Sequence, residues 1–290
     1  MSEDARLPVA KTHKLYIGGA FPRSESGRSY AAGDARGRFL ANVAQASRKD
    51  LRDAVSAARK AFPGWSAASA YNRGQVLYRV AEVAEGRREQ LAEAVARGEG
   101  TPEDTARSIV DTAIDRWVWY AGWTDKLTPV LGSANPVAGP YFSFTVVEPT
   151  GVVGTLAPQE SSLLGLVSVL APVLATGCTA VVVASTDRPV PAITLAEILE
   201  TSDVPAGAAN ILTGSADELA PHLASHADVN ALDLTGVPAE QRGALERSAA
   251  GSVKRVLRVP ATEPDWTVTP GIDRLRGCLE YKTVWHPVGT

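Results

Sequence analysis

The second half of the chain carries short apolar runs that recur at nearly regular intervals. Five Val- and Leu-rich runs with strand character alternate with four segments of helical spacing. The repeat is close to the roughly 30 residues of a strand–helix–strand unit, which predicts a parallel sheet with helices on both faces and right-handed crossovers. We therefore expect an α/β fold with a Rossmann-like parallel sheet at 151–260. The predicted strands are 152–157, 179–184, 208–213, 229–235 and 253–259, and the predicted helices are 161–175, 189–202, 216–225 and 238–249.

The first half of the chain has the apolar spacing of helices. Ser47 is a suitable N-cap, and apolar residues recur on one face of the segment after it, up to Pro63-Gly64, where we expect the first helix to end. Two further helices are predicted at about 72–96 and 101–126. Residues 1–135 are thus expected to form a helical part packed on the α/β domain.

The third predicted helix carries a cluster of aromatic residues. Large aromatic side chains dominate burial in cores and interfaces, so packing is favoured over a ligand cage. The cluster consists of Trp117, Trp119, Tyr120 and Trp123.

Two segments outside the α/β domain have the pattern of exposed strands. Residues 141–149 alternate apolar and polar side chains and predict an edge strand, in a hairpin with the segment before it. Residues 280–288 predict a last strand, which must pair either with 141–149 or with another chain. The stretch 261–279 between the α/β domain and the last strand is expected to be a surface connection.

Composition and charge limit the classes of function. A net charge of −3 offers no electrostatic basis for binding nucleic acid or an anionic membrane. The uncharged run from Ser161 to Thr186 contains Pro172 and changes character after 175–179, which favours a buried helix followed by a strand over a membrane span. The N-terminus has no apolar core of a secretory signal, so a reducing cytoplasm is the expected location.

Several stretches carry a resemblance to a known family. DAVSAARKAFPGWSAAS at 53–69, EPTGVVG at 148–154, VPAGAANILTG at 204–214 and KTVW at 282–285 resemble the aldehyde dehydrogenase superfamily. APQESSLLGLVS and EYKTVWHPVG are similar to the shortened second half of double-length aldehyde dehydrogenases, a copy without the catalytic domain.

The resemblance implies a nucleotide-type domain, a catalytic domain and a β-flap for oligomerisation. This chain passes from VKRVLRVP almost directly to the terminal flap strand. The resemblance therefore implies a flap at 136–150 and 280–290, and a connection at 261–279 in place of the catalytic domain. The nucleophilic cysteine of the family would be absent with that domain.

The turn after the first α/β strand departs from the family's pattern. The family's Pro-Trp-Asn-Phe, whose Asn stabilises an oxyanion, corresponds to Pro158-Gln159-Glu160-Ser161. Glu160 stands at the Asn position, where a carboxylate would repel the developing negative charge. Residues of this kind at the start of a helix are otherwise ordinary capping residues. The family's general-base Glu corresponds to Arg258 or Val259. We expect no catalytic residue at these positions.

The cofactor positions are also altered. Ala184 and Asp187 stand where the family's Lys and Glu hold the adenosine ribose. Gly236 and Val237 stand at the helix start that faces the pyrophosphate, where Pro238 cannot donate an N–H. Pro158 and Gly214 match the remaining cofactor turns. We expect no bound cofactor, with a vestigial NAD site as the alternative.

The remaining candidate residues have ordinary interpretations. Cys178 and Cys278 have no activating group in sequence, so neither is expected to be a nucleophile, and their spacing indicates no metal site. His222 and His226 are four apart but lack a third ligand, which favours a surface role. Lys254-Arg255 is expected to be a solvated strand edge.

Association is the function that the sequence favours. The flap would add strands to the catalytic-domain sheet of a separate full-length aldehyde dehydrogenase, making this chain a non-catalytic subunit that stabilises or regulates it. The alternatives are self-association as a dimer, a weak nucleotide-binding sensor and, less favoured, an enzyme of altered chemistry using Glu160. The predicted oligomerisation residues are Phe142, Phe144, Val146, Tyr281, Thr283 and Trp285.

Overall fold

The computed structural model describes residues 11–289. Residues 1–10, on which the prediction of no secretory signal rests, lie outside the described residues, as does Thr290. The described chain begins with a small sheet of strand order β1-β3-β2, which the sequence analysis missed. Its strands are short and rich in small residues, a weak strand signal. They are β1 (Thr12–His13), β2 (Ser29–Gly33) and β3 (Phe39–Ala44).

Five helices follow: α1 (Arg48–Ala67), α2 (Ala70–Gly86), α3 (Arg88–Glu99), α4 (Glu103–Ala121) and α5 (Leu127–Leu131). Ser47 caps α1 in a reciprocal pair with Asp50, as predicted for the N-cap. The predicted end at Pro63-Gly64 is wrong. The helix continues one more turn because Trp65 is buried and its indole N–H donates to the carbonyl of Leu174 at 3.1 Å.

The two longer helix predictions are both too long, and the first corresponds to two helices. The predicted 72–96 helix is interrupted at Arg87, which has φ −114° and ψ 18° and lies between α2 and α3. The predicted 101–126 helix ends at Ala121, and a turn separates it from α5. Trp117 and Tyr120 are each only 1% exposed, so the expectation that the aromatic cluster packs in the core is confirmed for these two.

The α/β domain is Rossmann-like, as predicted. All its neighbouring strands are parallel, in the order β10-β9-β6-β7-β8. The chain order reverses between β6 and β9, which places a crevice outside the carboxyl ends of these two strands. The elements are β6 (Val152–Leu156), α6 (Leu164–Ala175), β7 (Thr179–Val183), α7 (Val190–Glu200), β8 (Ala209–Leu212), α8 (Ala216–Ser225), β9 (Ala231–Asp233), α9 (Ala239–Ala250) and β10 (Arg255–Val256).

Side chains of alternate strand residues enter two separate cores. On β6, Val153 packs with α2, α4 and α6, whereas Val152 and Leu156 pack with α1 and α8. The uncharged run Ser161–Thr186 forms α6 and β7 inside these cores, which confirms the predicted helix followed by a strand. Among the described residues, each helix is either too short or too polar to cross a membrane.

The flap is a separate sheet of three antiparallel strands in the order β11-β5-β4. The strands are β4 (Ser133–Asn135), β5 (Tyr141–Pro149) and β11 (Leu279–Pro287), and the short helix α10 (Asp273–Gly277) precedes β11. The last strand pairs along the whole of β5, so the first of its two predicted partners is correct.

Candidate functional site

The turns that carry the candidate site residues meet at the carboxyl edge of the parallel sheet. Gly236 after β9 donates its N–H to the carbonyl of Leu156 at 2.9 Å, next to the turn that begins at Pro158. That turn also contacts the one after β7, since the Ser185 hydroxyl donates to the Gln159 carbonyl at 2.9 Å. Arg258 and Val259 follow β10 at the same edge. The fold thus brings together turns that lie far apart in sequence.

Gln159 and Glu160 use their side chains for local contacts. The Gln159 amide donates to the carbonyl of Ala157 at 2.7 Å and accepts from the N–H of Thr186 at 3.0 Å. The Glu160 side chain is 76% exposed and forms an ion pair with Arg188 at 2.6 Å. Glu160 therefore points to solvent with a cationic partner that the sequence analysis did not identify.

The N–H groups of the turn that leads into α6 are hydrogen-bonded to the chain's own side chains. The N–H groups of Glu160 and Ser161 donate to the carboxylate of Glu263 at 3.3 and 3.2 Å. The N–H of Ser162 donates to Glu99 at 2.7 Å. The Ser161 hydroxyl accepts from the N–H of Gly165 in the first turn of α6 at 2.9 Å, whereas Leu163, the N-cap residue, provides no side-chain cap. These donors are consequently not free for an oxyanion or a phosphate.

The turn after β7 carries Ala184 and Asp187, two of the positions that correspond to the cofactor site of the family. Ala184 is fully buried, whereas Asp187 is exposed. Between them, the Thr186 carbonyl accepts from the Tyr30 hydroxyl at 3.0 Å. Burial raises the pKa of Tyr30 well above its ordinary value, and the nearby Asp187 carboxylate raises it further. Tyr30 therefore acts here as a neutral donor.

The two glycine positions have packing roles. Gly214 has φ +139°, and a Cβ there would approach the N atom of Ala46 to 3.1 Å. A Cβ at Gly236 would overlap the carbonyl of Ala157. Val237 is 5% exposed, and α9 begins after Pro238 without a side-chain cap. Close backbone approach thus accounts for both glycines without a ligand.

The segment 261–279, which we call the connector, closes the crevice. The Glu263 carboxylate that holds the turn after β6 also accepts from the Trp266 indole N–H at 2.8 Å. Arg274 forms an ion pair with Asp233, which is 1% exposed, and donates to Thr235 at 3.1 Å. The Arg274 guanidinium also lies 5.2 Å from the Trp266 ring centroid.

The expectation of a mere surface connection is wrong for part of the connector. Trp266 is 8% and Leu275 0% exposed, because both side chains pack into the helical core.

The prediction that Lys254-Arg255 is a solvated strand edge is also wrong. Lys254 is 8% exposed, and Arg255 forms an ion pair with Glu280 at 2.6 Å.

Both cysteines are free, and each is at most 1% exposed. Burial raises the pKa of each thiol, that of Cys278 strongly. The Cys178 thiol donates to the carbonyl of Cys278 at 3.2 Å. This environment disfavours the thiolate that a nucleophile requires. Within residues 11–289 no group of three or more His, Cys, Asp or Glu side chains could hold a metal, and His222 and His226 lie on or near the surface of α8.

The predicted oligomerisation residues fall on opposite faces of the flap. Cross-strand partners share a face, and the register pairs Phe144 with Val284 and Ser143 with Trp285. Phe142, Phe144 and Val146 therefore face one way, and Tyr281, Thr283 and Trp285 face the other. Both faces carry exposed aromatic side chains: Phe142 is 52% and Trp285 57% exposed.

Sequence reasoning missed the groups that close the crevice. Glu263 lies 103 and 102 positions from the two N–H groups it accepts from, Arg274 lies 41 positions from Asp233, and their local sequence shows no motif. The signals available were a tryptophan and alternating charges in a stretch that otherwise resembled a loop.

The comparisons with known proteins point to one family. The profile of the aldehyde dehydrogenase family matches residues 23–263. The chain is 35% identical over 249 residues to the candidate aldehyde dehydrogenase DhaS of Bacillus subtilis (84% of this chain, 50% of DhaS). It is 31% identical over 261 residues to the mitochondrial benzaldehyde dehydrogenase of Antirrhinum majus (88% and 48%).

Solved structures agree with this result. The NAD⁺ complex of an aldehyde dehydrogenase from Bacillus cereus superimposes with a TM-score of 0.79 at 27% identity, over 85% of this chain and 50% of that one. The chain spans about half the length of the curated relatives it matches.

Proposed function

The chain belongs to the aldehyde dehydrogenase family, and on that premise we propose that it is a non-catalytic member. In this proposal it associates through its flap with a full-length aldehyde dehydrogenase and stabilises or regulates that enzyme. The observation that carries the proposal is the contrast between a crevice closed by the chain's own connector and a flap with exposed aromatic side chains on both faces.

The connector supports the absence of catalysis. β10 ends at Val256 and β11 begins at Leu279, and only the five-residue helix α10 lies between them. This segment is too short to form a domain with its own core. The cysteine that precedes β11 is buried, and Glu160 is exposed and paired with Arg188. The ion pair with Arg188 and the exposure to solvent argue against the alternative of an enzyme using Glu160. A general acid or base has to be held against a substrate.

The flap supports association. β11 is nine residues long and pairs on one side with β5, while none of the described strands pairs with its other edge. An open edge of this length offers main-chain donors and acceptors to a strand of another chain. The exposed Tyr141, Phe142 and Trp285 side chains would add apolar contacts. Association of two copies about a two-fold axis would use the same edge.

A vestigial NAD site is the second candidate, because the Bacillus cereus structure similar to this chain is an NAD⁺ complex. The turns at Gly214 and Gly236 keep their close backbone approach. Ala184, however, offers no charged donor at the lysine position. Glu240 in the first turn of α9 would repel a pyrophosphate. We expect NAD binding to be weak, and a saturable isotherm in the micromolar range would favour a sensor role.

We place this role in the cytoplasm. The two cysteines are free and buried rather than paired in a disulfide. Free thiols persist in reducing compartments.

Native mass spectrometry of the tagged protein, purified gently from its own cells, tests the proposal. The expected result is a stoichiometric complex with a full-length aldehyde dehydrogenase. A clean homo-oligomer or monomer without such an enzyme would contradict it.

Flap variants then locate the interface. Trp285→Lys and Phe142→Lys place a charge on opposite faces of the flap, and at least one should abolish the complex. Tyr71→Lys on α2, where the side chain is 69% exposed, is the matched control and should leave it intact. Equal effects of all three variants would argue against a flap interface.

A further inference from the structure

A cavity of about 320 Å³ lies between α4, α6 and the connector. This volume is at the lower end of the range of small-molecule sites, roughly 300–1,000 Å³. Its walls combine arginine side chains with aromatic and apolar ones. The residues that matter here are Arg116, Tyr120, Arg258, Trp266 and Arg274.

Arg116, on α4, is a buried cation without an acidic partner. It is 5% exposed, and no carboxylate of the described residues lies within ion-pair distance of it. It donates to the Ser168 hydroxyl at 2.8 Å and to the carbonyls of Trp266 and Val268 at 2.6 and 3.0 Å. A guanidinium has five N–H donors, so two remain without a partner among these residues. A buried charge of this kind is costly unless an opposite charge compensates it.

The surroundings of Arg116 add positive charge. Burial lowers the pKa of Arg116, and the neighbouring Arg274 lowers it further. Arg258 lines the same cavity and makes no hydrogen bond or ion pair with any described residue. A second cavity of about 510 Å³ shares Arg258 and Arg274 and adds Arg255 and Arg276 to its walls.

Two acidic residues line the first cavity, but their carboxylates lie against other groups than Arg116 and Arg258. Asp265 accepts from the N–H and the hydroxyl of Thr267 at 2.9 and 2.7 Å. The Asp273 side chain is 96% exposed and lies 4.0 Å from Arg276. Neither carboxylate contacts Arg116 or Arg258. Arg116 and Arg258 are therefore positive charges of the cavity wall without a carboxylate partner among the described residues, the first buried and the second exposed.

We propose that this cavity binds a small organic carboxylate whose charged group is held by Arg116 and Arg258. The planar guanidinium matches a carboxylate with two parallel hydrogen bonds. Tyr120 and Trp266 provide the aromatic surface for an apolar body. Because the connector supplies Trp266 and Arg274, the site exists only when the connector is docked. The inference is independent of the proposed association with another enzyme.

Isothermal titration calorimetry of the full chain with benzoate tests this site. Benzyl alcohol serves as the neutral probe of the same shape, and inorganic phosphate as the anion without an apolar body. We expect saturable one-to-one binding of benzoate and at least tenfold weaker binding of both other probes. Equal binding of benzyl alcohol would overturn the role of charge, and equal binding of phosphate would overturn the organic carboxylate. No saturable benzoate binding up to about 10 mM would overturn the site altogether.

Variants assign the binding to the arginines. Arg258→Gln removes a side chain without partners and should fold normally, and we expect it to weaken benzoate binding about tenfold. Arg36→Gln in the exposed turn between β2 and β3 removes the same charge elsewhere and should leave the affinity unchanged. Arg116→Gln should abolish binding, with circular dichroism to check its fold. An unchanged affinity of Arg258→Gln, or an equal loss in Arg36→Gln, would refute the proposal.

Discussion

The substitution Arg274→Met should destabilise the protein by leaving a buried carboxylate without its cation. Asp233 is 1% exposed and lies at the carboxyl end of β9, where the connector brings Arg274 to it. Methionine keeps much of the apolar stem of arginine but not its charge. The Oδ2 atom of Asp233 would then lose the ion pair with Arg274.

The size of the effect follows from burial and from the contacts that remain. Removing one partner of a buried ion pair typically costs about 3–5 kcal/mol. Here the N–H and hydroxyl of Thr235 still donate to the other carboxylate oxygen, and Arg274 itself is 21% exposed. We therefore expect the free energy of unfolding to fall by about 2–4 kcal/mol.

Urea unfolding followed by tryptophan fluorescence and by circular dichroism measures this loss. Limited proteolysis should at the same time show faster cleavage within the connector, because Arg274 is one of its attachments. Arg276→Met is the matched control. Arg276 lies two positions after Arg274 in sequence, and its guanidinium is 4.0 Å from the exposed carboxylate of Asp273. The loss of this exposed contact should lower the free energy of unfolding by less than about 0.5 kcal/mol.

A double-mutant cycle separates the energy of the Asp233–Arg274 ion pair from the cost of leaving the Asp233 carboxylate buried and unpaired. Asp233→Asn combined with Arg274→Met removes both charges and should recover about half of the loss. A cost below about 1 kcal/mol for Arg274→Met alone, with no change in cleavage of the connector, would refute the reasoning that Asp233 depends on Arg274.

Three further predictions concern the turns and the N-terminal sheet. Glu263→Ala should cost about 1–2 kcal/mol and should speed hydrogen exchange at the two amides it accepts from; unchanged exchange would contradict the contact. Gly236→Ala should prevent stable folding, as seen by circular dichroism, because its Cβ would overlap backbone, whereas Gly243→Ala within α9 should be neutral or gain up to about 1 kcal/mol. Burial, with a smaller contribution from the charge of Lys11, lowers the pKa of His13 below its ordinary 6.5, so the unfolded chain binds the proton more readily. The contribution of neutral His13 to stability is then fully present above about pH 6.5 and is lost as the pH falls through the pKa of His13 in the folded protein. His13→Gln should have a flatter dependence of the unfolding free energy between about pH 7 and pH 5, and identical slopes would contradict this assignment.

The sequence by itself determined the elements of the α/β domain and their parallel arrangement in one sheet, but not the order of the strands. Each predicted strand and helix after residue 151 is present, and the last strand pairs with β5. Apolar periodicity carries this information because it reflects which faces of neighbouring residues are buried. The strand–helix alternation then leaves few topologies for a parallel sheet.

The ends of the helices and the faces of the flap depended on tertiary contacts that the apolar periodicity of the sequence does not encode. Proline and glycine at 63–64 predict the end of α1, yet the buried Trp65 extends it by packing against α6. The two faces of the flap followed only from the register between β5 and β11. A shift of one residue would have exchanged them.

The state of the candidate site was decided by the tertiary structure alone. The substitutions at Glu160, Ala184 and Val237 were visible in the sequence, but the groups that now occupy the crevice were not. Glu263 reaches the N–H of Glu160 across 103 positions of sequence, and Arg274 reaches Asp233 across 41. Such contacts form because a buried donor or carboxylate needs a partner, and only the folded chain determines which side chain is near enough to supply it.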